Sequence, residues 1–517
     1  MNKPATRQFG RADVIRLSLA AVFIIAVAAY AWIQFGYLSL SIVVASVFGA
    51  YMAMNIGAND VANNVGPAVG AKAMKLGTAV VIAALFEAAG AIIAGGEVVS
   101  TIRGGIIDPS LLPDPQNFIW LMMAALLAGA MWLNLATALG APVSTTHSIV
   151  GGVLGSGAAA AGFGIINWTT VTNIVISWVI SPLFGGIIAA LFLFLVKHSI
   201  TYRKDMMAAS RQMVPILIGF MAWAFVTYLL MKGLSRIIIV SFPAAVGLGG
   251  LAAVITYFYI SLRVEIRTRD LENNKESVNS LFGWPLIFAA ALLSFAHGSN
   301  DVANAIGPLV AIFNTLMTQG IDTSAAAPLW IMMLGAAGLA LGLALYGPKL
   351  IKTVGSEITD MDNMRAYSIA MAAAVTVIIA SQLGLPVSTT HVTIGAVFGV
   401  GFLREYLKSS YQRAITEIEK HHEHNGSHPD ELDVFLKRFK DASAKEKGQL
   451  LKDLKERSTR KKIHISKSER KDLRRAYKEN LVKRSIMLRV IAAWVVTVPC
   501  SALLAGLIYY TIRGMLL

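Results

Sequence analysis

Long apolar runs recur along this chain, and thirteen of them are about as long as a lipid bilayer is thick. Hydrocarbon offers the backbone no hydrogen-bond partners, so uninterrupted runs of this length indicate membrane-crossing α-helices. With 56% hydrophobic residues and a mean hydropathy of +0.62, the chain is also too apolar for an ordinary soluble domain. We predict an all-α polytopic membrane protein with spans near residues 14–35, 38–71, 77–95, 118–140, 143–163, 169–196, 213–232, 236–262, 282–312, 328–346, 364–384, 387–403 and 486–512.

Two motifs occur twice, in the same order. The pairs are IGANDVANNVGP at 56–67 with HGSNDVANAIGP at 297–308, and APVSTTHSIVGGVLGSG at 141–157 with LPVSTTHVTIGAVFGVG at 385–401. The offsets within the two pairs are 241 and 244 residues, which are nearly equal, and a weaker echo pairs Trp178 with Trp494. One internal duplication accounts for these pairs, with repeats near residues 38–196 and 282–513.

Equivalent loops of the two repeats carry opposite charge. Lys72 and Lys75 follow the first NDVAN motif, whereas residues 311–327 after the second contain no Lys or Arg. Likewise residues 158–168 have no basic residue, whereas the equivalent place in the second repeat holds the basic block 404–485. Under the positive-inside rule, the repeats therefore cross the membrane in opposite directions, as in many secondary transporters. The same counting slightly favours crossing segments over re-entrant hairpins at 118–163 and 364–403, and composition leaves both open.

The predicted organisation follows from the repeats. It comprises an extra N-terminal membrane helix in 1–37, repeat 1 in 38–196, linking helices and short loops in 197–281, the first part of repeat 2 in 282–403, a charged insert in 404–485 and the final helix of repeat 2 in 486–517. The stretch from Arg404 to Arg484 holds 23 Lys and Arg against 14 Asp and Glu. Mixed charges at helical spacing predict solvated cytoplasmic helices, with lipid headgroups as the next alternative, and the lack of interleaved aromatic residues argues against nucleic-acid binding.

The first duplicated motif places acidic and amide side chains inside a span. Gly57, Gly66 and Pro67, with their mates in the second copy, weaken the helix there, which predicts discontinuous helices lining a cavity. Carboxylate and amide oxygens are hard ligands and suit Na⁺ or H⁺. The predicted cation ligands are Asp60, Asn59, Asn63, Asp301, Asn300 and Asn304. The alternative is that these residues only hydrogen-bond helices to one another.

The PVSTTH motif has the opposite polarity. Pro142 and Pro386 suit a first helical turn, and the hydroxyls that follow lie beside free backbone N–H groups. Two such helix ends suit one tetrahedral oxyanion, unless the hydroxyls only cap their helices. The predicted anion ligands are Ser144, Thr145, Thr146, Ser388, Thr389 and Thr390. Cations beside an anion in a low-dielectric site predict symport.

Three further titratable residues are candidates for coupling. Histidine side chains ordinarily titrate near neutral pH, so His147 and His391 are candidate proton carriers, unless they only bond neighbouring carbonyls. Glu87 is another carboxylate inside a span, and local alignment gives it Gly335 as a counterpart. If Glu87 binds a cation, the site is asymmetric; otherwise it is a paired polar side chain in the bundle.

With NDVAN twice and PVSTTH twice in this order, the chain resembles the PiT family of inorganic phosphate transporters, which includes sodium-coupled symporters. The resemblance covers residues 38–403 and the last helix. It implies a core of about twelve membrane segments in two inverted repeats, a homodimer, and phosphate held between the repeats with Na⁺ beside it. By this resemblance Asp60, Asn63, Asp301 and Asn304 are cation ligands, and the Ser-Thr-Thr runs contact phosphate.

Two stretches depart from the family pattern. The span at 14–35 is additional, and the charged insert lies before the final helix and not between the repeats. Glu87 and the segment STIRGGIID at 100–108 resemble the sodium-coupled branch, which favours Na⁺ over H⁺. We expect an integral protein of a bacterial inner membrane, with the N-terminus and the insert cytoplasmic, and no cofactor other than the co-transported ion.

Several alternatives remain open from the sequence. The transported species is phosphate, or else a metal–phosphate complex or sulfate, since helix ends and hydroxyls bind tetrahedral oxyanions generally. Coupling to H⁺ in place of Na⁺ and an anion channel of the same fold are also compatible with the motifs. A membrane-embedded hydrolase would use Ser144 as nucleophile and His147 as base, but no orienting carboxylate is evident.

Overall fold

In this computed structural model, residues 10–36, 39–138, 143–233, 240–321, 327–357, 361–407, 450 and 484–516 are described. Their regular structure is helical apart from one isolated bridge between Ile107 and Ile166, which confirms the predicted all-α class. The α-helices are α1 (Arg11–Phe35), α2 (Leu40–Gly70), α3 (Leu76–Ala94), α4 (Gly96–Ser100), α5 (Pro115–Ala138), α6 (Thr145–Ala161), α7 (Trp168–Val196), α8 (Met206–Tyr228), α9 (Phe242–Thr268), α10 (Lys275–Leu281), α11 (Gly283–Asp301), α12 (Ala303–Thr318), α13 (Leu329–Glu357), α14 (Asn363–Gln382), α15 (Thr389–Leu407) and α16 (Arg484–Leu516).

Eleven helical stretches within the described residues are long and apolar enough to cross a membrane. They match eleven of the thirteen predicted spans, including the additional first one, α1. The two predicted spans without a match are 143–163 and 387–403, which correspond to α6 and α15.

The helices α5 and α6 form a hairpin whose tip lies deep between other spans. They are antiparallel, because Gly152 contacts Ala125, whereas Ile149, earlier in α6, contacts Gly129, later in α5. The first residue of α6, Thr145, hydrogen-bonds Asp60, which lies 20 residues after the start of α2 and 10 before its end. At 1.5 Å per residue, the tip is at least about 15 Å from either end of α2.

The second hairpin, α14 with α15, ends in the same way. Thr389 hydrogen-bonds Asp301, which lies 18 residues after Gly283 and 17 before Thr318 in the long stretch formed by α11 and α12. Both tips therefore reach the middle of neighbouring spans, and we infer that the hairpins are re-entrant. The depth of the tips therefore favours the re-entrant alternative over the crossing segments that the charge counting slightly favoured.

Neighbouring helices of the two repeats run parallel. Along α13, Gly338 contacts Ala50 and Ala53 of α2, and Gly342, one turn later, contacts Met54. In the same way, α3 and α11 are parallel, because Gly90 contacts Phe295 and Gly95, further along α3, contacts Val302, just after α11. Since the short loop after α2 makes α3 run back across the bilayer, α11 runs opposite to its own counterpart, α2. This is the arrangement that inverted repeats predict.

Two glycines of the NDVAN motifs permit close helix packing. A Cβ added to Gly57 would lie 2.0 Å from the carbonyl oxygen of Leu339, and one added to Gly298 would lie 2.1 Å from that of Glu87. Because Gly57 and Gly298 are equivalent in the duplication, these contacts make Leu339 the counterpart of Glu87. The counterpart taken from local alignment, Gly335, was wrong by one helical turn.

The predicted interruption of both motif helices is only partly correct. Helix α2 continues unbroken through its motif, and the second copy is interrupted at Val302 alone, which keeps helical angles of φ −56° and ψ −33°. The glycines serve close packing, and the backbone stays hydrogen-bonded, so the polar side chains enter the interior without unwinding α2. The real discontinuities are the hairpin tips.

The chain divides into two compact units, Met1–Val400 with Leu488–Leu517 and Gly401–Met487. The site described below belongs to the first. Of the predicted charged insert at 404–485, only residues 404–407, 450, 484 and 485 are among those described. The prediction of solvated helices there falls on residues outside the described part.

Candidate functional site

Asp60 lies between the two hairpin tips and contacts both. Thr145 Oγ1 donates a hydrogen bond to Asp60 Oδ2 at 2.8 Å, and Thr390 Oγ1 donates to Oδ1 at 3.1 Å. Asp60 is only 2% exposed. A carboxylate so far from water needs donors or a cation beside it, and the tips provide the donors. The first NDVAN motif thus meets both PVSTTH motifs at one point.

Asp301 occupies the equivalent place in the second repeat. Thr389 Oγ1 donates to its Oδ2 at 3.0 Å, as Thr145 does to Asp60, and Asp301 is fully buried. Within the described residues, Asp301 Oδ1 has no hydrogen-bond partner. Asp60, Asp301 and a third residue, His297, offer ligand atoms that all lie within 4.8 Å of one another. The structure therefore brings the two predicted carboxylates into one buried cluster.

Two of the predicted amides link the repeats across the cluster. Asn63 Nδ2 donates to Thr390 Oγ1 at 2.8 Å, and Asn304 Nδ2 donates to Thr146 Oγ1 at 3.1 Å. These bonds are equivalent under the duplication. They use the amide nitrogens, and Asn304 Oδ1 remains without a partner in the described part of the chain. That oxygen is free to face a cation.

The other two predicted amides, Asn300 and Asn59, differ from each other. Asn300 holds the loop before the second tip: Nδ2 donates to Ser381 Oγ at 3.0 Å and to the Leu385 carbonyl at 3.1 Å, and Oδ1 accepts from the Val387 N–H at 3.3 Å. With its oxygen occupied, Asn300 supports a loop in this structure. Asn59 is buried, and its Nδ2 has no partner among the described residues.

Serines, and not prolines, begin the two tip helices. Ser144 Oγ accepts from the His147 N–H at 3.1 Å, and Ser388 Oγ accepts from the His391 N–H at 3.3 Å, so both are N-caps. Pro386 lies three residues before Thr389, outside the first turn where it was predicted, and Pro142 is outside the described residues. The first two N–H groups of each tip helix, at Thr145, Thr146, Thr389 and Thr390, are the donors that capping leaves to a ligand.

His297 completes the cluster, although it was not among the site residues predicted from the sequence. Its Nδ1 lies 2.9 Å from Glu87 Oε1, its Nε2 lies 3.1 Å from Asp301 Oδ2, and Asn64 Nδ2 donates to Glu87 Oε1 at 2.8 Å. His297, Glu87 and Asn64 are fully buried. Glu87 thus reaches the cluster through the imidazole.

This part of the cluster is asymmetric. The counterparts of His297, Asn64 and Glu87 in the other repeat are Ile56, Ala305 and Leu339. A signal was present in the motifs themselves, since HGSNDVANA and IGANDVANN differ at two of these three positions. One side of the site therefore carries three polar residues that the other side lacks.

The two predicted proton carriers, His147 and His391, lie behind the tips. Both are buried, and each ring stacks on a tryptophan. His147 Nδ1 also lies 2.8 Å from Ser144 Oγ. Among the described residues, neither imidazole forms an ion pair with a carboxylate, unlike His297.

The site can accommodate both signs of charge. Carboxylate and amide oxygens without partners can hold small hard cations, and the four open N–H groups of two opposed helix ends can hold an oxyanion. Each helix N-terminus contributes roughly half a positive charge without any buried Lys or Arg. Cations and an anion bound together would neutralise one another in a site closed to water.

Comparison with known proteins gives consistent results along the chain. Residues 56–505 match the phosphate transporter family. A protein of Helicobacter pylori strain J99 named as a phosphate permease is 52% identical over 505 residues, covering 96% of this chain and 95% of its own length. A phosphate permease of Thermococcus kodakarensis is 40% identical over 358 residues, covering 69% of this chain and 87% of its own.

A solved structure has the same fold. It is titled as the sodium-dependent phosphate transporter, and it matches with a TM-score of 0.75 and 29% identity. The match covers 92% of this chain and 100% of that one. The Helicobacter relative aligns with nearly the full length of the chain, whereas the archaeal one aligns with about two thirds.

Proposed function

Because the chain belongs to the phosphate transporter family, we propose that it imports inorganic phosphate together with Na⁺ by alternating access. The observation that carries the proposal is the meeting of Asp60 with Thr145 and Thr390, which puts a buried carboxylate against the tips of both hairpins. Such a site would hold cations and an oxyanion side by side, where their charges neutralise one another, and symport requires this.

The proposed phosphate ligands are the two tips. Thr145, Thr146, Thr389 and Thr390 present open backbone N–H groups, while Ser144 and Ser388 fix the helix starts. The four threonine hydroxyls donate to Asp60, Asp301 and the Val387 carbonyl in this structure, and we propose that they turn to phosphate when it binds. Support comes from the polarity of the tips, since two helix N-termini and several donors select a tetrahedral oxyanion. Sulfate has the same shape, so the family membership is what favours phosphate.

The proposed Na⁺ ligands are Asp60, Asp301, Asn59, Asn63 and Asn304. Asn300 is a weaker candidate than the sequence suggested, because both of its polar atoms hold the loop at Leu385 and Val387. Glu87 joins the site through His297 and gives one side of the site a carboxylate that the other side lacks. The solved relative is titled as sodium-dependent, which supports Na⁺ over H⁺.

The hydrolase alternative does not survive. The family is one of transporters, so the chain is not an enzyme. Ser144 and His147 do lie 2.8 Å apart, but Ser144 caps its own helix and the imidazole stacks on Trp178. Helix capping and ring stacking therefore explain why Ser144 and His147 are in contact, and no nucleophilic role for Ser144 is needed.

We further propose that the transporter is a homodimer in a bacterial inner membrane, with the N-terminus and the insert at 404–485 in the cytoplasm. Basic residues in that insert support this orientation. The relative from Helicobacter pylori, which aligns with nearly the full length of the chain, supports a bacterial membrane.

Uptake of labelled phosphate into proteoliposomes tests the proposed function. We expect labelled phosphate to accumulate when an inward Na⁺ gradient is imposed and not to accumulate when only a pH gradient is imposed. Excess sulfate is expected to compete at most weakly. Accumulation that follows the pH gradient alone would refute Na⁺ coupling. Phosphate flux that equilibrates without accumulating under either gradient would indicate a channel.

A further inference from the structure

Four aromatic rings form a continuous stack behind the hairpin tips. His147 stacks on Trp178 with ring centroids 3.6 Å apart and planes at 24°, and His391 stacks on Trp494 at 3.6 Å and 28°. The two imidazoles contact each other with centroids 4.6 Å apart and planes at 59°, so the middle contact is tilted and the two outer ones are stacked. The rings follow one another in the order Trp178, His147, His391, Trp494 and so connect α7, α6, α15 and α16. Each repeat contributes one tryptophan and one histidine, so the arrangement is symmetric.

The stack is tied directly to the anion-binding ends of the tips. His147 follows Thr145 and Thr146 in the first turn of α6, and His391 follows Thr389 and Thr390 in the first turn of α15. Each ring is therefore attached to the same helical turn as two of the tip hydroxyls. In addition, Trp178 Nε1 donates to the Pro386 carbonyl at 3.0 Å, so the tryptophan of one repeat also holds the loop of the other.

The surroundings of His391 suit a packing role better than proton transfer. Its ring is fully buried, and neither ring nitrogen has a hydrogen-bond partner among the described residues. A proton carrier needs a donor or acceptor within about 3.2 Å to exchange with. The groups that its ring contacts in the stack are His147 and the indole of Trp494.

We propose that His147 and His391 are positioning residues, which set the spacing of the two hairpin tips through a stacked bridge between Trp178 and Trp494. The bridge keeps the tip hydroxyls and open N–H groups at the separation that one tetrahedral anion requires. The inference rests on the proposed phosphate transport, and it assigns these histidines to substrate affinity and not to ion coupling.

The decisive test compares an aromatic and a polar replacement at His391. His391→Phe keeps a ring in the stack and removes both nitrogens, whereas His391→Gln keeps hydrogen-bonding capacity and removes the ring. An aromatic pair contributes about 2- to 12-fold to an equilibrium, and His391 takes part in one stacked pair and one tilted pair. We expect KM for phosphate to rise about tenfold in His391→Gln and to stay within about threefold of wild type in His391→Phe.

Three further readouts separate positioning from other roles. The maximal rate at saturating phosphate and the pH profile of uptake are expected to stay unchanged in both variants. In the double variant His147→Gln/His391→Gln, the rise in KM is expected to be smaller than the product of the single effects, because the same bridge is lost once. His198→Gln is the matched control, since His198 stacks on Phe194 away from the tips, and its replacement is expected to leave KM unchanged.

Equal defects in His391→Phe and His391→Gln would overturn the proposal, and so would a changed pH profile, which would assign proton transfer. Multiplicative effects in the double variant would show that the rings act separately. If His391→Gln does not fold, Trp494→Phe against Trp494→Leu makes the same comparison from the other side of the ring pair. Wild-type protein without Na⁺-driven uptake would refute the proposed function, which is a separate outcome.

Discussion

Thr390 provides the sharpest test of how the tips serve the cation site. Its hydroxyl donates to Asp60 Oδ1 at 3.1 Å and accepts from Asn63 Nδ2 at 2.8 Å. Thr390→Val removes the hydroxyl at nearly constant volume and leaves a buried carboxylate oxygen without its donor. The lost hydrogen bond stabilises the ionised carboxylate that is proposed to bind Na⁺, and a hydrogen bond to a charged group contributes about 1.5–3 kcal/mol. Na⁺ activation of uptake is therefore expected to weaken by at least about tenfold.

The equivalent residue of the first repeat is the matched control. Thr146 Oγ1 donates to the Val387 carbonyl at 3.0 Å and accepts from Asn304 Nδ2 at 3.1 Å, so the same substitution breaks only neutral hydrogen bonds. Such bonds contribute about 0.5–1.5 kcal/mol, which predicts a shift of about two- to twelvefold for Thr146→Val. The Na⁺ concentration for half-maximal phosphate uptake by proteoliposomes measures both. Equal shifts, or a larger one for Thr146→Val, would refute the assignment of Asp60 as the carboxylate shared by the tips.

Two further predictions concern the packing and the acids. Gly298→Ala is expected to lower the thermal unfolding midpoint of the purified protein, because its Cβ would lie 2.1 Å from the Glu87 carbonyl oxygen, whereas Gly250→Ala, with no atom near the added Cβ, is expected to leave it nearly unchanged; similar midpoints would contradict the close approach. Asp60→Asn and Asp301→Asn are each expected to reduce Na⁺ affinity in the uptake assay by removing a charged ligand, and wild-type Na⁺ dependence in either variant would remove that residue from the site.

Much of the site was predictable because it lies in duplicated motifs. Asp60, Asp301 and the tip threonines were found from NDVAN and PVSTTH, and the structure places them in contact. What failed was the assignment of individual partners. Asn300 and Asn304 belong to the same motif and lie one helical turn apart on one face, yet Asn300 holds a loop and Asn304 reaches across to Thr146, because the two turns face different parts of the hairpins.

The asymmetry of the site was harder to predict. In the sequence, His297 differs from its counterpart Ile56, and nothing else marks it. Its role in the site depends on Glu87, which lies 210 residues earlier in the chain, with Oε1 2.9 Å from His297 Nδ1. Local alignment gave Glu87 the wrong counterpart because α3 and α13 share little beyond apolar residues. The backbone contacts at Gly57 and Gly298 identified Leu339 where residue identity did not.

Apolar run length and the doubled motifs were enough to establish a helical membrane protein, an internal duplication and the chemical type of its polar residues. These properties follow from the membrane environment. In lipid, a segment of about 20 residues must satisfy its own backbone hydrogen bonds, and a carboxylate there is costly, so it is found where it has a function. The depth of the hairpin tips, the partners of each amide and the four-ring stack were decided by the tertiary structure alone. They depend on which helix faces which at distances of about 3–4 Å, and apolar helices of similar composition carry no local signal of that choice.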